Sequence, residues 1–283
     1  MKQSLKLLTA VSFMAFALNS CDKKDSLATP YVAGTAPALS SSVSGFTPVT
    51  ADSSATIATF SWTSPSYDRF PDSSILYLLQ VDSAGKNFSH PQVLASFTGS
   101  LSKNITGKTL NDILLNAMNY PATVPVDLEI RLLASKPNFN EQQTSNTVAF
   151  HYTPYIPAMP AVAPVPVTVM PVNNELYMVG DMTPGGWANP VPTPSQKLTK
   201  TGNIYSVILH SNGTGQYLLL PVNGDWSHKY AVQTGDSPAL QGYFGYNVSN
   251  NFNTNFNGPT QAGTYLFRYD VSTGAYYLVR VGY

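Results

Sequence analysis

The sequence predicts an all-β protein that contains two β-sandwich domains. Short runs of β-branched and aromatic residues recur between turn-forming residues along most of the chain, which is the pattern of β-strands joined by turns. Aromatic residues are frequent, with 17 Tyr and 13 Phe, and such residues favour strands. The length of 283 residues suits two domains of ordinary size. A single cysteine excludes an intramolecular disulfide, so each domain depends on its own core.

The first twenty residues have the pattern of a lipoprotein signal peptide. A basic start at residues 1–6 precedes an apolar run at 7–18, which is too short to span a bilayer as a helix. The tetrapeptide LNSC, which ends at Cys21, resembles the bacterial lipobox, in which the cysteine is lipidated and becomes the mature N-terminus. We therefore expect a signal peptide over 1–20, a lipid on Cys21 and a flexible tether over 21–44. The alternative is an ordinary secretory signal with an incidental cysteine.

The first domain is predicted over residues 45–153 as a β-sandwich of immunoglobulin or fibronectin III type. Its strongest strand signal is at 124–132, where apolar and charged residues alternate with a period of two. Trp62 lies near the end of an early strand and is expected in the core. One helix is predicted at 110–118, with Thr109 as its N-cap. The other strands of this domain are predicted at 55–62, 75–81 and 145–152.

Residues 154–172 form a predicted proline-rich linker. Proline recurs in an apolar, uncharged stretch, and because it lacks the amide donor and restricts φ, the segment favours extended polyproline II. We expect a stiff spacer that holds the second domain away from the first.

The second domain is predicted over residues 173–283 as another β-sandwich, since no helical period occurs in this half. The nearly continuous apolar run at 216–222 predicts a central strand. A hairpin is predicted from strands at 263–270 and 275–281. Further strands are predicted at 175–179 and 204–209.

Composition and motifs argue against several classes of function. The formal net charge is zero, and no basic cluster occurs that could bind the phosphates of nucleic acid. The common hydrolase, metalloprotease and nucleotide-binding motifs are absent, and the four histidines lack the spacing of metal ligands. We therefore expect no enzymatic activity, no metal and no cofactor.

Two of the three tryptophans lie in polar turn segments of the second domain and suggest a carbohydrate site. Trp187 follows Thr-Pro-Gly-Gly, and Trp226 lies in the segment NGDWSHKY, which begins at Asn223. An indole face packs well on the C–H face of a pyranose, while amide and charged groups hydrogen-bond its hydroxyls. The predicted glycan-binding residues are Trp187, Trp226, Lys229, Asn223, Asp225 and Tyr230.

Plainer interpretations of these residues stay open. One tryptophan could close the end of the sandwich core, Lys229 could be a solvated loop charge, and Tyr230 could pack in the core. The Asn-rich segment 247–257, which contains two phenylalanines, is either a binding loop or a surface loop anchored by their rings.

Several segments together resemble the SusE/SusF outer-membrane proteins of Bacteroidetes. The lipobox and an immunoglobulin-like first domain are combined with the C-terminal segments ELYMVGDMTPGGW, QYLLLPVNGDWSHKY and GTYLFRYDVSTGAYYLVRV. The resemblance implies a surface lipoprotein that binds starch-type α-glucan and assists a SusC/SusD-like import complex without catalysis. It implies a carbohydrate-binding module over 173–283, in which Trp187 and Trp226 form an aromatic cradle and Lys229 with Asn223 or Asp225 supplies polar contacts.

The resemblance also implies an outer-membrane location, with a lipid anchor and the domains facing the cell exterior. The alternative is a non-catalytic structural or assembly lipoprotein that docks on an outer-membrane partner and uses the exposed aromatics as interface anchors.

Overall fold

The computed structural model describes residues 34–67, 74–137, 140–160, 167–233, 240–247 and 252–283. The predicted signal peptide, Cys21 and the first part of the tether lie outside these residues. Within them the chain is nearly all β, as the sequence predicts. No helix of the described part is both long enough and apolar enough to cross a membrane.

The first domain is built from two packed sheets. The smaller sheet has the order β1-β3-β6, and the larger has the order β2-β9-β7-β4-β5, with β8 paired to β7. The strands are β1 (Leu39–Ser41), β2 (Gly45–Phe46), β3 (Thr56–Trp62), β4 (Leu76–Ser83), β5 (Gln92–Thr98), β6 (Ser102–Thr106), β7 (Val126–Ser135), β8 (Gln143–Thr144) and β9 (Val148–Tyr152). The four predicted strands are confirmed, whereas β5 and β6 lack a clear alternation in the sequence and were not predicted.

The core of this domain lies between the two sheets. On β7 the apolar positions of the predicted alternation are buried, while Asp127 between them is exposed. Trp62 is confirmed as a core residue, and its ring centroid lies 5.4 Å from that of Tyr77 and 5.3 Å from that of Phe97. Pairs of rings at this separation add to the stability that burial of their area provides.

The predicted helix begins earlier than expected. Helix α1 (Gly107–Asp112) continues into a π-helical turn at Ile113–Ala117. The N-cap is Thr106 rather than Thr109, because Thr106 has extended backbone angles and its hydroxyl accepts a hydrogen bond from the Thr109 N–H at 3.3 Å. The sequence offers a threonine at both positions, and only the backbone conformation distinguishes them.

The second domain is one antiparallel sheet with the order β10-β13-β14-β15-β18-β17-β12-β11, to which β16 adds by pairing with β13. All five predicted strands are confirmed. The strands are β10 (Tyr177–Val179), β11 (Thr199–Thr201), β12 (Ile204–Asn212), β13 (Gln216–Leu220), β14 (Tyr230–Val232), β15 (Gln241–Tyr246), β16 (Phe256–Asn257), β17 (Ala262–Asp270) and β18 (Ala275–Gly282).

Aromatic rings show that this sheet folds over on itself. In the strand order β13 and β17 are four positions apart, which is about 19 Å in a flat sheet. Yet the ring of Tyr217 on β13 lies 5.7 Å from that of Phe267 on β17, and the Tyr269 hydroxyl donates to the Tyr217 hydroxyl at 2.8 Å. The two halves of the sheet therefore face each other and enclose a core rich in tyrosine and phenylalanine.

The proline-rich segment does not act as the expected spacer, because its described part packs against both domains. The Asn111 side chain of the first domain accepts from the Tyr155 N–H at 2.8 Å and donates to the Tyr155 carbonyl at 3.1 Å. Arg268 of the second domain donates to the Pro157 carbonyl at 2.9 Å. Because these backbone groups have hydrogen-bond partners, the apolar segment can pack on the domains without a desolvation cost. This packing removes apolar surface from water, so it is favoured over an extended spacer in solvent.

The two domains also contact each other directly through Arg280 of β18. Its carbonyl accepts from the Ala122 N–H at 2.7 Å, and its guanidinium donates to the Asn119 carbonyl at 3.1 Å. A second guanidinium nitrogen donates to the Ala262 carbonyl at 2.8 Å, within its own domain. Arg280 thus joins the loop after α1 to the hairpin of the second domain.

We predict that Tyr217→Phe destabilises the protein by about 1–3 kcal/mol, since it leaves the buried Tyr269 hydroxyl without its acceptor. The double change Tyr217→Phe with Tyr269→Phe should cost less than the sum of the two single changes, because no orphaned hydroxyl then remains. Urea unfolding followed by circular dichroism measures both. Additive effects would show that the hydroxyl pair does not stabilise the folded sheet.

Candidate functional site

Two loops of the second domain carry the two tryptophans that the sequence predicts to bind a glycan. The first spans residues 180–198, after β10, and the second spans 221–229, between β13 and β14. Trp187 is 39% exposed and Trp226 is 47% exposed, so neither ring closes the core. The two loops, residues 180–198 and 221–229, are called the tryptophan loops below.

Each tryptophan follows closely on a glycine with a left-handed backbone. Gly186 has φ +57° and Gly224 has φ +99°, a region that other residues enter only at a cost. A Cβ at either position would meet nothing within 4 Å, so backbone conformation rather than space accounts for glycine there. The backbone thus turns at these glycines immediately before Trp187 and two residues before Trp226.

Amide side chains hold the 180–198 loop against the outer face of the sheet. The Gln196 side chain accepts from the Gly185 N–H at 2.8 Å and donates to the Met178 carbonyl at 2.7 Å. Val191 is buried in a small apolar cluster with residues of β10, β13 and β14. The loop is therefore held at Gly185, Val191 and Gln196, and Trp187 lies between these points on a supported backbone.

The two loops are also tied to each other. The Asn223 side chain accepts from the Val191 N–H at 2.7 Å and donates to the Val191 carbonyl at 3.2 Å, while Asn189 accepts from the Gly224 N–H at 2.7 Å. Each tryptophan is two residues from the Asn189–Gly224 bond, so their Cα atoms lie within about 20 Å of each other, given about 3.6 Å per extended residue. One short chain of sugars can reach across that distance.

Asp225 organises the backbone beside Trp226. One of its carboxylate oxygens accepts from the Ser227 N–H at 2.7 Å, and the other lies 2.9 Å from Nδ1 of His228. These hydrogen bonds, the one to His228 above all, lower the pKa of Asp225 to about 2. The His228 ring in turn stacks on Tyr246, at 5.9 Å between centroids and 22° between planes. Asp225 is therefore ionised at neutral pH and bonded within its own loop.

The remaining predicted residues divide between surface and core. Lys229 is half-buried, and within the described residues its ammonium has no hydrogen bond or ion pair. Tyr230 is fully buried, and its hydroxyl donates to the Val169 carbonyl at 2.7 Å, so it cannot contact a sugar in this conformation. Both ends of the Asn223 amide are engaged by Val191, which makes Asn223 a support of the loops rather than a free polar contact.

The Asn-rich segment contributes to the core more than to a surface. Residues 248–251 lie outside the described part of the chain. Phe256 is fully buried, and the ring of Phe252 lies over Gly245, where an added Cβ would approach it to 2.6 Å. These contacts agree with a surface loop anchored by its two phenylalanines.

Sequence reasoning missed three residues that support the loops, namely Asn189, Gln196 and His228. Their partners are backbone atoms or side chains of another segment, except for His228, which lies three residues after Asp225 in a spacing that suggests a local contact.

Across the described ranges, no group of three or more histidine, cysteine or carboxylate side chains is placed to hold a metal ion. The arrangement offers two partly exposed indoles beside a lysine and a carboxylate, which suits binding of a polar ligand with flat apolar faces.

Comparison with known proteins gives one family. Residues 23–133 match the SusE outer membrane protein family. The predicted resemblance to SusE/SusF proteins is thus confirmed for the tether and much of the first domain. The C-terminal segments that contribute to the resemblance, including both tryptophan loops, lie beyond the matched range.

A solved structure is also similar, the crystal structure of SusF from Bacteroides thetaiotaomicron. The sequence identity is 16%, and the alignment covers 87% of this chain and 52% of the SusF chain, with a TM-score of 0.36. This chain therefore spans about half the length of that protein. None of the curated proteins matches the sequence at a significant level.

We predict that His228→Ala raises the pKa of Asp225 from about 2 toward its ordinary value of 3.8, because the histidine is the main cause of the lowering. A lowered pKa means that folding favours the ionised carboxylate. This contribution is complete above pH 3.8 and is lost as the pH falls toward 2. Titration of the Asp225 carboxyl carbon by NMR measures the shift.

The matched control is His210→Ala, which removes an exposed histidine from β12. It should leave the titration of Asp225 unchanged. If His228→Ala also leaves it unchanged, the carboxylate is held by its backbone contact alone.

Proposed function

We propose that this protein is a non-catalytic lipoprotein of the outer membrane that binds a polysaccharide through the tryptophan loops of its second domain. The observation that carries the proposal is the partial exposure of Trp187 and Trp226 on two loops that are hydrogen-bonded to each other. The match of residues 23–133 to an outer-membrane family supports the location.

The exposure of the indoles favours binding because it is held by rigid supports. Burial of a large aromatic ring stabilises a protein, so two indoles kept partly in water leave favourable contact area unused. The amide ties of Asn189, Asn223 and Gln196 restrict the loops before any ligand arrives. A ligand that packs on the rings then gains contact area with little loss of loop entropy.

The polar groups near the rings favour a neutral polyhydroxyl ligand. Lys229 can donate to hydroxyl oxygens, and the ionised Asp225 can accept from hydroxyl groups with lone pairs that its loop contacts leave available. Their charges are opposite, so neither an anion nor a cation is favoured overall. Sugars fit this combination of flat apolar faces and hydroxyl groups.

The resemblance to SusE/SusF proteins supports starch-type α-glucan as the ligand. It also supports the cell exterior as the location of the domains and a SusC/SusD-like uptake complex as the partner. In this proposal the lipid on Cys21 anchors the chain, and the second domain captures polysaccharide for import. No step of the proposed function requires a metal, a cofactor or a chemical reaction.

We predict that Trp187→Ala and Trp226→Ala each weaken binding of soluble starch by about fivefold to tenfold, since one stacking ring contributes on the order of 1 kcal/mol or somewhat more. The double variant should lose measurable retention. Affinity electrophoresis in gels that contain amylopectin, xylan or galactomannan compares the polysaccharides directly.

Ile208→Ala is the matched control, because Ile208 is 59% exposed on β12 and lies outside the tryptophan loops. It should migrate like the wild type. Retention that survives the double tryptophan change removes the proposed site, and a wild type that binds no polysaccharide removes the proposed function. A co-purified outer-membrane protein that is lost in the tryptophan variants would indicate a docking surface instead.

We predict that Cys21→Ser abolishes incorporation of labelled palmitate and moves the protein from the membrane fraction to the soluble fraction, because stable anchoring requires the acyl chains. Cellular fractionation with radiolabelling measures both effects. Membrane association that persists without label would show that another contact holds the protein there.

A further inference from the structure

A cleft lies between the two domains and is lined by residues of both. Its volume is about 540 Å³, within the range of small-molecule binding sites, and domain interfaces are a common place for them. The first domain contributes α1 and the turn after it, the second contributes β15 and β18, and residues 155–160 before the second domain line one side. The cleft shares no lining residue with the tryptophan loops.

The charged side chains that line the cleft itself are one cation and one anion, Lys108 and Asp112. Lys108 and Asp112 lie one turn apart on α1 and form an ion pair at its edge, with 67% and 42% of their side chains exposed. The pair offers a donor and an acceptor side by side without net charge. Two amides, those of Asn116 and Gln241, add groups that both donate and accept. Such a lining suits adjacent hydroxyl groups rather than a phosphate or an ammonium.

Two tyrosine rings contribute to the apolar part of the lining, beside proline, methionine and leucine side chains. Tyr277 of β18 and Tyr155 of the proline-rich segment both face the cleft. The Arg268 guanidinium lies 5.2 Å from the Tyr277 ring and donates to the Pro157 carbonyl, so it holds the ring and the segment together. Burial raises the pKa of Tyr277, which keeps its hydroxyl protonated and able to donate at neutral pH.

A smaller cavity of about 130 Å³ adjoins this cleft and shares Asn116, Leu240, Tyr277 and Leu278 with it. It is also lined by Tyr120 and by Arg280, whose guanidinium already donates to two backbone carbonyls. The two neighbouring spaces are together called the interdomain groove below.

We propose that this interdomain groove is a second binding site, for a neutral oligosaccharide that packs on Tyr277 and hydrogen-bonds Asp112, Lys108 and Asn116. The site is independent of the tryptophan loops. Its ligand contacts both domains, so binding also fixes their relative orientation. The proposal goes beyond the function stated above, because it does not require either exposed indole.

The test uses the full chain with Trp187→Ala and Trp226→Ala, so that the tryptophan loops cannot contribute. Maltotriose, cellotriose and mannotriose are titrated into this double variant by isothermal calorimetry. We expect at least one trisaccharide to bind, and we expect Asp112→Ala and Asn116→Ala on this background each to weaken that binding about tenfold. Asp127→Ala is the matched control, because Asp127 is an exposed carboxylate paired with His151 on another face.

Three outcomes would overturn the proposal: no trisaccharide binds the double variant, binding is unchanged by Asp112→Ala and Asn116→Ala, or inorganic phosphate displaces the sugar and identifies an anion site. Thermal unfolding of every variant by circular dichroism separates lost binding from lost fold. Because the tryptophans are absent throughout, failure of this site does not affect the proposed function of the tryptophan loops.

Discussion

Backbone groups that are removed from water need hydrogen-bond partners, and much of this structure depends on that requirement. Outside the strands, side-chain amides provide these partners. Asn111, Asn146 and Asn223 each bond both the N–H and the carbonyl of one distant residue, as a neighbouring strand would. Gln196 does the same with two different residues. These amides join irregular segments to a helix, a strand or another loop, and two of them, Asn223 and Gln196, hold the tryptophan loops. Without these two amides, the loops would lose hydrogen bonds that restrict the backbone beside the indoles.

The aromatic core of the second domain places a different constraint on the sequence. A sheet of nine strands that folds over on itself must fill the space between its halves, and tyrosine and phenylalanine fill it with few residues. Tyrosine brings a hydroxyl into the core, which must be bonded to avoid a desolvation cost. The hydroxyl groups of Tyr217 and Tyr269 are hydrogen-bonded to each other, and the Tyr230 hydroxyl donates to the Val169 carbonyl near the end of the proline-rich segment. The core and the linker are therefore coupled.

That coupling explains why the two domains lie against each other. The proline-rich segment is apolar and uncharged, and its described residues contact both domains. Burying such a segment is favourable once its carbonyls have partners, and Asn111 and Arg268 provide them. The groove along the interface lies beside these contacts and is lined by residues of both domains. The two proposed binding surfaces thus lie on the tryptophan loops and between the domains.

The sequence by itself determined the all-β class and half of the strands, and it predicted the exposed tryptophans while leaving burial of one of them open, because these features depend on local patterns. Alternation along β7, the apolar run of β13 and the glycines beside Trp187 and Trp226 are all read within a few residues. Only the tertiary structure decided which polar residues are free. The sequence predicts Asn223 and Tyr230 as ligand contacts. In the structure Asn223 is hydrogen-bonded to Val191, 32 residues away in the chain, and Tyr230 to Val169, 61 residues away. The interdomain groove could likewise not be predicted from the sequence. It is lined by residues of α1 and of β18, which are far apart in the chain, and a local sequence pattern does not predict such a contact.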